Sequence, residues 1–240
     1  MNKLIHGAWQ NELLKVESNS VDLIIIDPPY LTTKEKWDNK EEVNLELSKQ
    51  LFRIAKDNCS LYVWCGIGEK SQSLIRWFPM FSEQWFFKDL ITWKKQRGIG
   101  MRKGWLYTRE ELMWFVKDNK QFIWNKENQY SEERRKRDGG KDIIKVSQNA
   151  FCKSLYKRWT NVWDDFTEQG ADVLGKKYHF TPKPKKAIER IILAHTKEGD
   201  MILDCFLGSG TTMQVCNELN RNCIGIEKDL EYYEYCRQYE

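Results

Sequence analysis

The sequence predicts an α/β fold: a mixed, mostly parallel sheet flanked by helices, in a chain of 240 residues. Three observations carry that expectation. The apolar run Leu23-Ile24-Ile25-Ile26 has the length of a buried strand and stops at Asp27-Pro28-Pro29-Tyr30, where neither proline nitrogen can donate to a ladder. Residues 201–227 read as strand, Gly-Ser-Gly turn, helix, strand and terminal acid, the ground plan of a nucleoside-binding βαβ unit. Between these two stretches, helical and strand periodicities alternate.

Taken in order, residues 4–6 make a short strand that ends at Gly7-Ala8, and residues 10–16 have the spacing of a brief helix. Residues 22–26 are the strand leading to Asp27. The polar loop 31–40, with Trp37-Asp38, flanks or covers whatever sits on Asp27. Residues 42–57 form a helix with Val43, Leu45, Leu47, Leu51, Ile54 and Ala55 on its apolar side, and 60–65 are the next buried strand. A helix over 72–78 and a strand over 85–93 follow. The stretch from Lys94 to Trp105 holds three glycines, which argue against regular structure, and five positive charges among apolar and aromatic residues. It reads either as a solvated loop or as a basic loop on a nucleic-acid face.

Residues 112–116 are a further strand, after which the pattern weakens. The segment 118–159 is irregular, basic and aromatic-bearing, with the charge run Glu132-Glu133-Arg134-Arg135-Lys136-Arg137. Such a run is usually a solvated face, but the segment is also the best candidate for a substrate-recognition insert. Order returns with a helix over 183–196, whose Ile188, Ile191, Ile192 and His195 share a face. A strand over 201–203, a helix over 211–219, a strand over 223–225 closed by Ile226-Glu227, and a helix over 229–238 complete the chain.

Composition bounds the function without naming it. Charged residues are 31% and apolar ones 41%, which suits a globular chain. The net charge of +4 is mildly basic, so the placement of cations matters more than their total. Aromatic residues reach 13%, enough to fill a core and leave rings for stacking on bases. Seven cysteines without a C-x-x-C pair and three histidines argue against a zinc site or disulfide framework; no metal is expected, and the thiols read as reduced. Residues 1–6 lack a signal-peptide core and no apolar run reaches transmembrane length, so a cytoplasmic location away from membranes is expected.

The chemistry concentrates at the two strand ends. Asp27 offers an acceptor-only carboxylate, Pro28 a free carbonyl and Tyr30 a flat ring, held by Pro29 in a stiff turn. Together they suit a planar group bearing an exocyclic amine, gripped at its NH2 and stacked on its face. An isolated D-P-P-Y reads equally well as a proline turn with a surface acid. In the second unit the glycines let the backbone pass close to a ligand, and Glu227 can accept from both ribose hydroxyls. The spacing is neither the dinucleotide fingerprint nor a P-loop.

With Asp27-Pro28-Pro29-Tyr30 and Asp204-Cys205-Phe206-Leu207-Gly208-Ser209-Gly210-Thr211-Thr212, the chain resembles the amino-group DNA methyltransferases that use S-adenosylmethionine. His179-Phe180-Thr181-Pro182-Lys183-Pro184 is similar to that family's H-P-T-Q-K-P segment, with Phe180 and Pro182 in place of the usual Pro and Gln. The catalytic motif precedes the cofactor motif with the variable insert between them, which resembles the β arrangement and its adenine-N6 enzymes of restriction–modification systems. The resemblance implies a Rossmann-like methyltransferase fold with circularly permuted motif order. Residues 1–117 would be its catalytic half, 118–159 an inserted target-recognition region and 160–240 its cofactor-binding half.

It also implies roles. Asp27, Pro28, Pro29 and Tyr30 would be catalytic. Ala8, Asp27, His179, Thr181, Lys183, Asp204, Phe206, Gly208, Ser209, Gly210, Thr211, Thr212 and Glu227 would surround S-adenosylmethionine, with Ala8 standing where the family commonly carries an acid for the adenine amino group. Lys94, Lys95, Arg97, Arg102, Lys103, Arg134, Arg135 and Arg137 would face double-stranded DNA. A monomer or homodimer is expected, with a cognate restriction endonuclease as partner. Carbon-5 cytosine methylation is disfavoured, because it needs a thiolate, usually in a Pro-Cys pair, and no cysteine here follows a proline. The remaining alternatives are cytosine-N4 methylation, RNA adenine methylation, and a non-catalytic nucleic-acid-binding partner subunit.

Overall fold

The computed structural model describes residues 2–32, 38, 42–99, 105–126, 130–134, 144–147, 150–152, 156–166 and 182–240; for 96–99, 130–134, 144–147, 150–152, 156 and 157 only the backbone is described. In chain order the elements are β1 (Lys3–His6), α1 (Trp9–Glu12), β2 (Val21–Ile26), α2 (Leu45–Ile54), β3 (Ala55–Cys65), α3 (Ser73–Ser82), β4 (Phe86–Ile99) and β5 (Tyr107–Val116). Short strands β6 (Tyr130–Arg134), β7 (Ile144–Ser147), β8 (Ala150–Cys152), β9 (Tyr156–Arg158) and β10 (Val162–Trp163) follow. The chain closes with α4 (Lys185–His195), β11 (Met201–Asp204), α5 (Thr211–Glu218), β12 (Asn222–Glu227) and α6 (Leu230–Cys236).

Eight strands form one sheet in the order β1-β12-β11-β2-β3-β5-β4-β10. The first five are mutually parallel; β5 runs antiparallel to both β3 and β4. The expected mixed, mostly parallel α/β sheet is therefore present. Because β2 is central and covered on both faces, all six of its residues are buried. Its side chains alternate: Leu23 and Ile25 join the core beneath α4 and α5, while Ile24 and Ile26 join the core beneath α2 and α3. The neighbouring β3 repeats that parity, with Tyr62 and Trp64 on one face and Leu61 and Val63 on the other.

Several sequence-based boundaries need correction. The expected helix 42–57 is shorter: Asn44 caps it by accepting from Leu47 N at 2.9 Å, and Ala55 already belongs to β3. The helix expected to stop at Phe78 continues through Pro79 to Ser82. Trp77 and Phe81, four residues apart and both fully buried, keep it docked despite the hydrogen bond that proline removes. The basic stretch expected to lack regular structure is strand as far as Ile99. Gly98 is accommodated because the pairing of β4 with β5 shifts register between Lys94 and Ile99. The insert expected to be irregular also carries the hairpin-like pairs β6–β9 and β7–β8. Among the described residues no helix is long and apolar enough to cross a membrane.

Candidate active site

The carboxyl ends of β1, β12, β11 and β2 meet along one edge, because the parallel register sets His6 beside Glu227 and Asp204 beside Gly225. Two adjoining clefts open there and share Asp27, Phe206 and Gly208. One is lined by Gly7, Trp9, Pro29, Ile226, Glu227, Lys228 and Tyr232; the other by Trp64, Pro182, Lys183, Asp204, Ser209, Thr211 and Thr212.

The turn after β11 explains why the glycines stand where they do. Gly208 and Gly210 have φ of +53° and +79°, a region that glycine enters without a steric penalty. A Cβ on Gly210 would also lie 2.8 Å from Cys236 Sγ. The turn is tied down by two carboxylates. Asp204 accepts from Phe206 N at 3.1 Å and from the Thr212 hydroxyl at 2.7 Å. Glu227 accepts from Gly208 N and from Asp229 N, each at 2.8 Å. Burial pushes the Asp204 carboxyl up to about 7, against those two hydrogen bonds, and raises Glu227 as well.

At the end of β2 the two prolines are buried and Asp27 reaches the junction of the clefts with 26% of its side chain accessible. The turn beyond is held by a residue the sequence did not single out in that role: Asp38 accepts from Leu31 N at 2.6 Å and Thr32 N at 2.7 Å. Leu31 is thereby kept at φ +63°, an uncommon conformation for a branched residue.

Around Asp27 lies a compact charged cluster. Lys183 Nζ is 2.9 Å from Asp27 Oδ2 and 2.7 Å from Glu110 Oε1. Lys95 Nζ is 2.8 Å from Glu110 Oε2. The Tyr30 hydroxyl lies 2.8 Å from Asp27 Oδ1 and 2.8 Å from Glu110 Oε1. Lys183 also sits over the rings of Tyr30 and Trp64, 5.3 and 5.2 Å from their centroids. Burial raises the Asp27 carboxyl; Lys183 opposes that rise and Glu110 adds to it. Burial would raise Glu110 too, but Lys183 and Lys95 outweigh it and hold the acid down at about 2. Lys183 is raised, since the two carboxylates outweigh its own burial.

The structure thus brings together Asp27, Tyr30, Lys183, Asp204, Phe206, Gly208, Ser209, Thr211, Thr212 and Glu227, with Gly210 supporting the turn. Ala8 lies between two residues of the cleft wall, Gly7 and Trp9, and caps α1. Of the basic residues, Lys94 is exposed and Lys95 is tied to Glu110. Arg97 and Arg134 are described by backbone alone, and His179, Thr181, Arg102, Lys103, Arg135 and Arg137 lie outside the described residues. Glu110 was missed. Its signal was an acid pair, Glu110-Glu111, at the start of an apolar strand; both acids are buried.

The sequence profile of a DNA methylase family matches residues 21–238. The chain is 32% identical to type II methyltransferase M1.MboII of Moraxella bovis, over 97% of this chain and 94% of that protein. It is 32% identical to type II methyltransferase M.HpaI of Haemophilus parainfluenzae, over 98% of this chain and 73% of that one. With DNA adenine methyltransferase YhdJ of Escherichia coli it shares 30% identity over 95% of this chain and 79% of that one. The solved structure of an M1.HpyAVI–SAM complex superposes with a TM-score of 0.64 at 23% identity, covering all of both chains. The cytosine-N4-specific PvuII methyltransferase gives 0.71 at 17%, covering 98% of this chain and 84% of that one. These two establish the fold alone; the extent of the profile match and of the 32% identities establishes that the chain belongs to the DNA methylase family.

Proposed function

We propose that this chain transfers a methyl group from S-adenosylmethionine to the exocyclic N6 amine of adenine in double-stranded DNA, as the modification enzyme of a restriction–modification system. The observation that carries the reading is the position of Asp27: its carboxylate stands where two clefts meet, one ending at Glu227 and the other passing Lys183 and Thr212. Relatives named as type II methyltransferases and as a DNA adenine methyltransferase support it.

The residues present fit the cofactor. Glu227 already accepts two backbone N–H groups, but a carboxylate has about four lone-pair sites, so it retains capacity for ribose hydroxyls. The turn through Gly208 allows close backbone approach, and Lys183 supplies a cation beside the second cleft. When bound, S-adenosylmethionine supplies an electrophilic methyl group on a sulfonium. Everything else falls to the chain. An adenine N6 lone pair is delocalised into its ring, which makes it a poor nucleophile. Hydrogen bonds from the NH2 to Asp27 and to the Pro28 carbonyl favour a pyramidal nitrogen and aim its lone pair. Tyr30 stacks on the base. Asp27 acts through position and preorganised charge, since the methylated ammonium product loses its proton readily. The target atom is inside the duplex stack, so the base is flipped out to reach Asp27.

The insert 118–159 and the basic stretch 94–104 supply the DNA contacts in this reading, and a cognate endonuclease is the implied partner. Incubating the chain with unmethylated bacterial DNA and methyl-tritiated cofactor, then digesting to nucleosides, tests it. Label in N6-methyladenosine is expected; label in N4-methylcytidine, or none, overturns the proposal.

A further inference from the structure

We infer that Glu110 is a positioning residue of this site: it anchors Lys183 and accepts the Tyr30 hydroxyl, so that the Asp27 carboxylate is free to turn to a substrate amine. The inference rests on the reading of Asp27 as the amine-binding group.

Tyr30 has one hydroxyl proton and two carboxylates at the same distance of 2.8 Å, so it serves one at a time. Lys183 bridges the same two carboxylates, and is slightly closer to Glu110 than to Asp27, at 2.7 against 2.9 Å. Without substrate, Tyr30 points at one oxygen of Asp27 and Lys183 at the other. An amine that donates one N–H to Asp27 and the other to the Pro28 carbonyl competes for those oxygens. Both protein donors can yield, because each has a second acceptor already within reach on Glu110. The hydroxyl needs only a rotation about its C–O bond, and the ammonium keeps an anionic partner as it relaxes its hold on Asp27. Without Glu110, drawing Lys183 away from Asp27 would strand a cation that is only 10% accessible, which is strongly unfavourable. Lys95, 2.8 Å from the far oxygen of Glu110, keeps that acid ionised and limits its pull on Lys183.

The placement follows from the antiparallel sense of β5. Glu111 pairs with Cys65, the last residue of β3, so the amino end of β5 lies at the carboxyl edge of the parallel strands. Glu110 therefore reaches the same edge as Asp27. The groups acting on Asp27 are Lys183 ahead of α4, Glu110 on β5, Tyr30 in its own turn and Asp204 on β11.

Glu110→Gln keeps an acceptor for the Tyr30 hydroxyl and removes the charge. In steady-state methylation of unmethylated DNA, kcat is expected to fall about tenfold, less than the roughly 10²–10³ for a donor in direct contact with the reacting atoms. Affinity for S-adenosylhomocysteine, measured by calorimetry, stays within about threefold on the same argument. The acidic limb of the kcat–pH profile moves to lower pH, because Asp27 loses a like charge and holds Lys183 alone. Lys95→Met leaves Glu110 in place and shifts the limb the other way, since Asp27 loses a cation and Glu110 draws Lys183 harder. This second variant decides the matter if Glu110→Gln does not fold. An unshifted limb in the variants that fold, beside an active unaltered chain, overturns the inference alone. Absence of adenine methylation by the unaltered chain removes the functional reading and the inference with it.

Discussion

The cluster around Asp27 and the cluster around His195 sit against neighbouring strands and satisfy their polar atoms in opposite ways. His195, at the end of α4, lies within 2.7 Å of the Ile123 carbonyl through Nδ1, and its Nε2 is 2.7 Å from the Tyr62 hydroxyl. The carbonyl can only accept, so Nδ1 carries the proton and Nε2 accepts from tyrosine. Ser60 joins through its hydroxyl, to which Trp114 Nε1 donates at 3.2 Å, and Trp124 stacks on Trp114. The protonated Nδ1 lies closest to the Ile123 carbonyl, with Ser60 Oγ at 3.2 Å, no formal charge is needed, and burial holds the histidine down at about 4. The cluster around Asp27 is underdetermined: one hydroxyl proton and two ammonium groups are shared by two carboxylates. A network with a single solution rigidifies a core. One with two nearly equal solutions can be re-ordered by a ligand, and here it stands at the mouth of the clefts.

The sharpest way to break this contrast is to delete one member of each cluster. Asp27→Ala should lower kcat by about 10²–10³-fold or more, while Lys183 keeps Glu110 and binding of S-adenosylhomocysteine is retained in calorimetry. His195→Ala should do the reverse. It leaves the Tyr62 hydroxyl and Ile123 carbonyl without their partner and opens a void among three aromatic rings. A loss of about 2–4 kcal/mol in urea unfolding is expected, with turnover per folded molecule unchanged. If His195→Ala loses turnover at full stability, the two clusters are not separable in this way.

Asp204 lies between the two types, a buried carboxyl with a structural task beside the clefts. Its folded-state pKa of about 7 is raised above the ordinary carboxylate value. Its contribution to stability is therefore fully present below the unfolded value of 3.8 and is lost as pH rises through about 7. His195 acts with the other sign: its stabilisation is present above 6.5 and lost as pH falls through about 4. Asp204→Asn should flatten the decline of the urea midpoint between pH 4 and pH 8 and leave the acid-side loss unchanged. A curve identical to that of the unaltered chain would place the ionised carboxylate in a more polar setting than the structure gives it.

The smallest expected effect concerns Ala8. Its carbonyl accepts from Asn11 N and Glu12 N, and it caps α1 without a side-chain hydrogen bond. Ala8→Asp should add a helix cap, worth about 0.5–2 kcal/mol. It should also tighten S-adenosylhomocysteine several-fold, in line with roughly 0.5–1.5 kcal/mol for one new hydrogen bond. A gain in melting temperature without a gain in affinity would mean that the cofactor's adenine amine is held elsewhere and that residue 8 belongs with the structural group.

Local pattern was enough to read the β2 run and its stop at Asp27-Pro28, the turn at Gly208 and Gly210, and the acid at Glu227, because each is written in consecutive residues. That the strand ending at Gly7-Ala8 lies beside the one ending at Glu227 is given by the parallel register of His6 with Glu227. Other features depended on what lies across the sheet. Gly98 argues against a strand until β5 is there to absorb a register shift, and Pro79 argues for a helix end until Trp77 and Phe81 have a core to dock into. Glu110 meets Tyr30 across 80 positions of sequence and Lys183 across 73. Only the reversed direction of β5 brings its amino end to the edge where the parallel strands finish. Strand ends are local and can be read from consecutive residues; which way a distant neighbour runs is settled by packing and pairing, and that choice completed the charge balance around Asp27.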